Sequence, residues 1–320
     1  MSKLVVIAVG GNSLIRDAKH QSIADQLTCA RETAVHIAGL VRDGWRVVVT
    51  HGNGPQVGFS LLRSEAASEI LDPVPLDACG ADTQGTIGYM LQQSLANEFA
   101  RLGSQRSVAT VITQVVVDPA DPAFQKPSKP IGPFYTEVKA RRYQAEKGWD
   151  MVEDSGRGYR RVVASPEPRE IVELSAIQAL LDANLTVIAV GGGGIPVVRG
   201  EDGELAGTAA VIDKDLASSL LASKLGADLF IVSTAVERVS LNYNKPGEVK
   251  LDRMTVGEAE AYLAAGQFPP GSMGPKVRAA IRFLKNGGKE VLITRPEALG
   301  AAVTGESGTR IVPDLELAAV

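Results

Sequence analysis

Six short apolar runs, separated by segments with helical periodicity, limit the folds that this chain can adopt. Such runs are typical of buried parallel strands, and here they are Leu4–Val9, Trp45–Thr50, Val108–Val117, Leu185–Val190, Leu229–Ser233 and Glu290–Thr294. Helical patterns lie between most of them, near Ala24–Arg42, Asp82–Leu102, Glu170–Ala183, Asp215–Leu225 and Pro275–Asn286. Because strands alternate with helices along the whole length, the sequence predicts an α/β fold, a three-layer αβα sandwich around a central, mainly parallel sheet.

One stretch interrupts this alternation. Residues 118–168 contain seven prolines and a hairpin pattern, Asp150–Asp154 followed by Tyr159–Val163 around a Ser-Gly-Arg-Gly turn. Two interpretations are open, a stiff surface excursion or a lid over an active site. Long ordered excursions within compact domains are often functional, and Lys129 inside the stretch favours the lid.

Three of the predicted strands run directly into glycine-rich turns. The turns read Val-Gly-Gly-Asn-Ser at 9–13, Thr-His-Gly-Asn-Gly-Pro at 50–55 and Val-Gly-Gly-Gly-Gly-Ile-Pro at 190–196. Glycine lets backbone N–H groups approach a phosphate, and ligands of open α/β sheets bind beyond the carboxyl ends of the strands. Three such turns favour an anion site, although each alone could be a tight link. Asn12 and Asn53 are either substrate-binding amides or ordinary turn residues.

Two lysines occupy the first turns of predicted helices, where a cation is normally unfavourable. Lys214 follows Asp213, and Lys276 follows Pro275, a residue that suits the first helical position. The positive end of a helix dipole disfavours each ammonium group by roughly 0.3–1 kcal/mol, whereas a bound polyphosphate would make both attractive. A third lysine, Lys129, has prolines on both sides that stiffen its backbone. Each lysine alone could be an ordinary surface residue, but together they favour an anion-binding role.

Composition and motifs exclude several classes of protein. The net charge of −4 over 320 residues gives no sign of nucleic-acid or membrane-surface binding. No apolar run approaches the ~18 residues that span a bilayer, and the chain begins with a strand pattern rather than a signal peptide. Neither the P-loop motif nor the dinucleotide-binding glycine motif occurs. With only Cys29, Cys79 and three histidines, a metal cluster is not expected, and the sequence predicts a cytoplasmic protein with reduced thiols.

With these motifs the chain resembles the amino acid kinase family and, within it, the carbamate kinases. The resemblance covers residue 3 to about residue 313. The segments that carry it are AVGGNSL (8–14), THGNGPQVG (50–58), KPIGPFY (129–135), GYRRVVASPEP (158–168), AVGGGGIPV (189–197), AVIDKDLAS (210–218) and GSMGPK (271–276). The resemblance implies a single domain over residues 1–320, with a protruding lid subdomain at 119–165 inserted within it. It also implies a homodimer that uses Mg²⁺ with ATP or ADP.

The resemblance further implies roles for individual residues. Lys129, Lys214 and Lys276 would be catalytic, neutralising charge on the carbamate and on the β- and γ-phosphates, and Asp215 would orient the lysines. Carbamate and the transferred phosphoryl group would bind at Gly10, Gly11, Asn12, Gly52 and Asn53. The nucleotide would contact Lys214 and Lys276 together with Asp213, Ala235, Tyr243, Met273 and Gly274.

The predicted reaction is reversible phosphoryl transfer, in which ATP and carbamate give ADP and carbamoyl phosphate. A carboxylate-type acceptor is already ionised, so no general base is needed, and in-line positioning with preorganised positive charge would supply the catalysis. Mg²⁺ often keeps its waters, so few direct protein ligands are expected, and none is assigned here. Two alternatives remain open, a family member that phosphorylates another small carboxylate or phosphate, and a non-catalytic nucleotide sensor of the same fold.

Overall fold

The computed structural model describes residues 2–11, 14–17, 19–154, 156–269 and 271–314. Its strands, in chain order, are β1 (Leu4–Val9), β2 (Arg46–His51), β3 (Val108–Thr110), β4 (Gln114–Val117), β5 (Lys129–Tyr135), β6 (Met151–Glu153), β7 (Tyr159–Val163), β8 (Pro168–Ile171), β9 (Thr186–Ile188), β10 (Ile195–Arg199), β11 (Leu205–Gly207), β12 (Leu229–Ser233), β13 (Val239–Leu241), β14 (Val249–Leu251), β15 (Arg253–Thr255), β16 (Val291–Thr294) and β17 (Thr309–Val312). Its helices are α1 (Ile23–Arg42), α2 (Gly54–Ala66), α3 (Leu76–Arg101), α4 (Glu137–Lys147), α5 (Leu174–Asp182), α6 (Lys214–Lys224), α7 (Val256–Ala264), α8 (Met273–Lys285) and α9 (Leu299–Thr304).

An eight-stranded sheet forms the centre of the molecule. Its order is β15-β17-β16-β12-β1-β2-β9-β3, and β1 pairs in parallel with both β2 and β12. The edge formed by β17 and β15 runs the other way, because β17 is antiparallel to β16 and β15 is parallel to β17. The mainly parallel central sheet expected from the sequence is therefore confirmed.

Alternating side chains of β1 belong to two separate apolar cores, as the two-residue period of a strand requires. One core contains Leu4, Val6 and Ala8 together with residues of α5, α6 and α8. The other contains Val5, Ile7 and Val9 together with residues of α1 and α3. Helices therefore cover the sheet on both faces, which gives the three predicted layers. Within the described ranges, no helix combines the length and the apolar character needed to cross a bilayer.

Two sequence predictions of secondary structure are wrong. The apolar run Val108–Val117 is not one strand, because β3 lies in the main sheet while β4 joins a second sheet of order β11-β10-β4-β8. Between them Thr113 leaves the sheet, and its N–H donates to Gln84 Oε1 of α3 at 2.8 Å. The pattern Glu170–Ala183 is helical only from Leu174, because its first residues pair antiparallel with β4 as strand β8. Both errors arise because tertiary pairing overrides local propensity.

Part of the proline-rich stretch forms a separate sheet, of order β5-β7-β6, here called the small sheet. Its strands β6 and β7 are antiparallel, as the hairpin pattern predicts. Helix α4 packs on this sheet through aromatic rings, since Tyr143 lies 5.2 Å from Tyr135 and 5.1 Å from Trp149 between ring centroids. The small sheet therefore has packing contacts of its own outside the two main cores.

Alanine substitutions at two glycines of α3 should change the free energy of unfolding in opposite directions. A Cβ at Gly88 would lie 2.3 Å from Thr110 Cγ2 of β3, whereas a Cβ at Gly80 would meet nothing within 4 Å. We expect Gly88→Ala to lower the free energy of unfolding by about 1–3 kcal/mol through overpacking. Gly80→Ala serves as the control and should raise it by about 0.5–1 kcal/mol through helix propensity. Denaturant unfolding of both variants measures this, and equal shifts would contradict the close packing of α3 on β3.

Candidate active site

The amino end of α6 brings two carboxylates and one ammonium group together. Asp213 is the N-cap residue of α6, and its Oδ1 accepts hydrogen bonds from the N–H groups of Asp215 at 3.0 Å and Leu216 at 3.4 Å. The first helical residue is Lys214, so its cation lies at the positive end of the helix dipole, as the sequence predicts. The capping carboxylate offsets that unfavourable placement.

Asp215 links the amino ends of two helices. Its Oδ1 lies 2.8 Å from Lys214 Nζ, and its Oδ2 accepts a hydrogen bond from Lys276 Nζ of α8 at 3.1 Å. All three side chains are largely buried, with exposed fractions of 6% for Asp215, 11% for Lys214 and 14% for Lys276. Lys214 Nζ is buried, and it forms its ion pair in the described part of the chain with Asp215. An ammonium group has three donors, so a bound anion can accept the remaining ones.

The third predicted lysine reaches the same place from the small sheet. Lys129, the first residue of β5, donates from Nζ to Asp213 Oδ2 at 2.7 Å. This ion pair is partly buried, with 30% of the lysine side chain and 16% of the aspartate side chain exposed. One carboxylate therefore caps α6 with one oxygen and binds Lys129 with the other.

These groups line one cavity of about 340 Å³, here called the lysine cavity. It lies beyond the carboxyl ends of β1 and β2, where an open parallel sheet binds its ligands. Residues from seven separate parts of the chain surround it, namely Gly10, Gly11, Gly52, Asn53, Gly54, Pro55, Lys129, Pro130, Ile131, Gly192, Val211, Ile212, Asp213, Lys214, Asp215, Thr234, Ala235, Gly271, Ser272, Pro275 and Lys276. The cavity has a formal charge of +1 when its charged groups are all ionised, because it is lined by three lysines and two aspartates, Lys129, Lys214, Lys276, Asp213 and Asp215.

Burial and ion pairing act on the charged groups in opposite directions. Burial lowers the pKa of Lys214 to about 8, with a further lowering from Lys276, while Asp215 acts against the shift. Burial alone would raise the pKa of Asp215, but Lys214 and Lys276 outweigh it and hold this pKa well below its usual range. Asp215 is therefore a permanent anion, whereas Lys214 gains or loses its proton near neutral to mildly alkaline pH.

The first two glycine turns lie next to each other at the floor of the lysine cavity. A Cβ at Gly10 would lie 2.9 Å from the Ser233 carbonyl oxygen, and one at Gly52 would contact the backbone of Gly11 and the Lys214 stem at 3.4–3.7 Å. Gly10 requires glycine because a Cβ there would collide with backbone, whereas the distances at Gly52 are ordinary van der Waals contacts. Gly11 has no such neighbour, so its surface is open to a ligand.

Of the two turn asparagines, only Asn53 lies within the described residues, and the predicted substrate contact at Asn12 lies outside them. Asn53 precedes α2, and its Nδ2 donates to Thr83 Oγ1 of α3 at 2.8 Å. The side chain is buried and still lines the lysine cavity. The amide is therefore held in a fixed orientation by α3.

The third glycine turn serves mainly for packing. Val190 before it has a positive φ of 52°, which is unfavourable for a β-branched residue. Added Cβ atoms at Gly192 and Gly193 would collide with the Asn53 side chain at 2.2 Å and the Ile212 carbonyl oxygen at 2.6 Å. Only Gly192 of this turn lines the lysine cavity. The turn thus supports Asn53 and the segment before Asp213 more than it offers N–H groups to a ligand.

An adjoining, more apolar pocket of about 240 Å³ shares Thr234, Ala235, Ser272 and Lys276 with the lysine cavity. Four of the predicted nucleotide-binding residues, Ala235, Tyr243, Met273 and Lys276, line this pocket, together with Val236, Arg238, Ser240, Gln267, Phe268 and Pro269. Gly274 lies instead in the first turn of α8, where its N–H donates to the Pro269 carbonyl at 2.9 Å. A charged cavity that opens into an apolar pocket suits a ligand with a phosphate tail and a planar base.

His51 precedes the glycines of the second turn and is buried among its neighbours. Its side chain is 1% exposed, its Nδ1 lies 3.2 Å from the Gly52 carbonyl oxygen, and a Cβ at Gly191 would lie 2.4 Å from its Nε2. Burial lowers its pKa to about 4, so the ring stays neutral beneath the cavity. Thr83, Thr234, Ser272 and Gln267 were not identified, because they have no distinctive sequence pattern and join the site only through folding.

The fold and the cavity together define an α/β protein with a lysine-lined cavity at the carboxyl edge of its sheet, next to an apolar pocket. A family model for the amino acid kinase family matches residues 3–295. The chain belongs to this family.

Individual relatives are similar over nearly their whole length. The carbamate kinase-like protein YahI of Escherichia coli (strain K12) is 50% identical, with 98% of this chain and 99% of that protein covered. The carbamate kinase of Thermococcus kodakarensis is 48% identical over 97% of this chain and 99% of its own length. The structure of Giardia lamblia carbamate kinase bound to AMP-PNP superposes with a TM-score of 0.91 at 44% identity, covering 98% of this chain and 99% of that one.

The lowered pKa of Lys214 predicts pH-dependent anion binding. Above a pH of about 8 the free protein loses this positive charge, so its affinity for ATP should fall by up to about tenfold between pH 7 and pH 9.5. ATP itself keeps a constant charge over most of this range. Calorimetric titration measures the affinity, with Lys214→Met as the control, which should bind weakly and show no inflection near pH 8. A wild-type affinity that stays constant to pH 9.5 would contradict the assignment.

Proposed function

We propose that the protein is a carbamate kinase, which transfers a phosphoryl group reversibly between ATP and carbamate. The observation that carries the proposal is the convergence of Lys129, Lys214 and Lys276 on one cavity at the carboxyl edge of the sheet. The names of the relatives support the choice of carbamate, since several of them are carbamate kinases of similar length. The bound ATP analogue in the Giardia lamblia structure supports the choice of nucleotide.

In the proposed reaction a carbamate oxygen attacks the γ-phosphorus of ATP in line with the bond to the β-phosphate. The new O–P bond gives carbamoyl phosphate, and the broken bond leaves its electron pair on the β-phosphate oxygen of ADP. Carbamate is already an anion, so no side chain has to remove a proton. The neutral His51 and the buried anion Asp215 agree with this, because neither is poised to exchange a proton with substrate.

The obstacle to this reaction is electrostatic, because an anionic acceptor must approach an anionic phosphoryl group. In our proposal Lys214 and Lys276 bracket the β- and γ-phosphates, and Lys129 contacts the carbamate and the phosphoryl group in transfer. Asp215 keeps the first two ammonium groups close together, in a site where each charge counts for more than in water. The backbone of the Gly10–Gly11 and Gly52 turns lies against the transferred group.

The residues present fit Mg²⁺ that arrives with the nucleotide rather than in a protein cage. Within the described ranges, no group of three or more His, Cys, Asp or Glu side chains could hold a metal ion. The two carboxylates of the lysine cavity are both paired with lysines. Bound Mg²⁺ would neutralise part of the phosphate charge, while Asp213 and Asp215 would stay paired with their lysines.

We further propose that residues 119–165 form a lid subdomain over the lysine cavity. The support is that β5 of the small sheet contributes Lys129, Pro130 and Ile131 to the lining of that cavity. A lid that carries a catalytic lysine completes the site only when it is closed, and it excludes water from the transferring phosphoryl group.

The oligomer and the compartment belong to the same proposal. Strand β3 forms an edge of the main sheet, and near its contact with α3 the side chains of Tyr89 and Ile112 are 59% and 46% exposed. An open sheet edge with exposed apolar side chains suits a second copy of the chain, so we propose a homodimer across this edge. The free, buried thiols of Cys29 and Cys79 suit a cytoplasmic location.

The lysine assignments predict the kinetics of single variants. Lys129→Met, Lys214→Met and Lys276→Met keep the aliphatic stem and remove the charge, so each should lower kcat by about 10²–10³-fold. Lys126→Met and Lys224→Met, at exposed positions of the same segments, are matched controls and should stay within about twofold of wild type. Circular dichroism confirms folding, and near-normal turnover in one of the first three variants would remove that lysine from the mechanism.

The reaction itself is tested by ATP formation from ADP, Mg²⁺ and carbamoyl phosphate. Acetyl phosphate and other acyl phosphates replace carbamoyl phosphate in parallel assays. We expect carbamoyl phosphate to be used at least about tenfold faster than the others. A preference for another acyl phosphate would identify a related kinase, and ATP binding without turnover on any of them would identify a nucleotide sensor.

The proposed dimer is tested by light scattering coupled to gel filtration. The wild-type protein should elute with about twice its chain mass of 33.6 kDa. Tyr89→Arg places a charge on the proposed interface and should give the monomer mass, whereas Tyr243→Arg, at a comparably exposed position elsewhere, should leave the dimer intact. A wild-type monomer, or a Tyr89→Arg dimer, would contradict this interface.

A further inference from the structure

The two oxygens of Asp213 have different partners, and these partners belong to different parts of the fold. Oδ1 accepts the N–H groups of Asp215 and Leu216 at the start of α6, whereas Oδ2 accepts Lys129 Nζ from β5 at 2.7 Å. The cap fixes the carboxylate plane before Lys129 arrives, so the lysine meets an acceptor whose direction is already set. The family resemblance implies a nucleotide contact for Asp213, and its described contacts within the chain are with a helix end and a lysine.

Apolar and backbone contacts also hold the small sheet against the main body, and the Glu65–Lys147 ion pair joins them outside the lysine cavity. Ile131 and Val163 of the small sheet share a small apolar cluster with Val57 of α2 and with Val211, two residues before Asp213. The backbones of Gly58 and Gly132 approach so closely that a Cβ on Gly58 would lie 2.2 Å from Gly132 Cα. These contacts dock the sheet on the body, but they do not set where an ammonium group at its edge will point.

The Lys129 ammonium group is in an unfavourable place unless a counter-charge accompanies it. It lies at the positive end of α6, in a cavity that already holds Lys214 and Lys276. Without Asp213, repulsion from these groups would favour rotamers of Lys129 that point toward solvent. Asp213 is the acidic residue that Lys129 contacts in the described part of the chain.

We propose that Asp213 is a positioning residue whose ion pair with Lys129, here called the clasp, holds Lys129 and the lid over the phosphoryl site. It acts through Lys129 and does not itself contact the transferred group. The clasp rests on the proposed function only in its effect on catalysis, because the Lys129–Asp213 ion pair joins two parts of the chain itself. The simpler interpretation is that Asp213 is a helix cap and nothing more.

One substitution separates the clasp from the cap. Asn caps helices about as well as Asp, but a neutral amide forms no ion pair, so Asp213→Asn keeps the cap and removes the clasp. Asp213→Ala removes both. A matched control is Glu65→Gln, which breaks another ion pair between the body and the small sheet, with Lys147 at 3.2 Å and similar exposure, outside the lysine cavity.

Amide hydrogen exchange measures whether the clasp stabilises the junction, and the measurement needs no substrate. The Val211 N–H donates to the Ala164 carbonyl at 2.9 Å, across the junction between the body and the segment that follows β7. Exchange of this amide, followed by peptide-resolved mass spectrometry, should be about threefold or more faster in Asp213→Asn than in wild type or Glu65→Gln. The melting temperature should fall in Asp213→Ala but stay near wild type in Asp213→Asn.

Steady-state kinetics test whether the clasp acts through Lys129. Asp213→Asn should lower kcat/KM about tenfold or more, Glu65→Gln should stay within about twofold, and Asp213→Asn combined with Lys129→Met should be no slower than Lys129→Met alone. Additive effects in the double variant, or unchanged exchange at Val211 in Asp213→Asn, would overturn the proposal. If the wild type fails to use carbamoyl phosphate, the proposed function falls, while the exchange comparison still decides the clasp.

Discussion

The buried carboxylate of Asp215 between two lysine ammonium groups is the interaction on which the site depends. A lone buried carboxylate would take up a proton, and Lys214 and Lys276 alone would repel each other, so each charge is stable only because the others are present. Because these residues begin α6 and α8, the triad also fixes the amino ends of both helices side by side. Packing of α6 and α8 in the shared apolar core supports the same arrangement. The charge needed for anion binding is therefore part of how the helices are held together.

The remaining features of the site follow from this triad. It requires a sheet edge where helices can begin close together, and the glycine after β1 allows this, because a Cβ at Gly10 would lie 2.9 Å from the Ser233 carbonyl oxygen. It leaves a net positive charge that attracts a phosphate tail. It also leaves room for a third cation, Lys129, which arrives from outside the main sheet and is met by Asp213. Preorganised charge of this kind serves phosphoryl transfer, because the reaction moves negative charge without needing a proton acceptor.

Prediction from sequence succeeded where a local pattern has one physical meaning. Continuous apolar runs predicted β1, β2, β12 and β16 within one or two residues, because a strand buried on both faces requires apolar side chains at every position. The pattern failed at Val108–Val117, because an apolar run does not say which sheet each half will join. The helical patterns missed α2, α4, α7 and α9. The polar, weakly amphipathic pattern of α4, for example, suits a helix on a small peripheral sheet and gives no strong periodic signal.

The sequence by itself determined the fold class, the family and the three lysines, because these rest on local patterns and on motifs that lie on the chain as continuous segments. Tertiary structure alone decided that Lys129 pairs with Asp213 across 84 positions, that Asn53 is held by Thr83, and that Thr234 and Ser272 join the charged cavity to the apolar pocket. Such contacts are set by how sheets and helices pack, and packing brings together residues whose separation along the chain carries no signal. The sequence shows which charges are available, and folding decides which of them face each other.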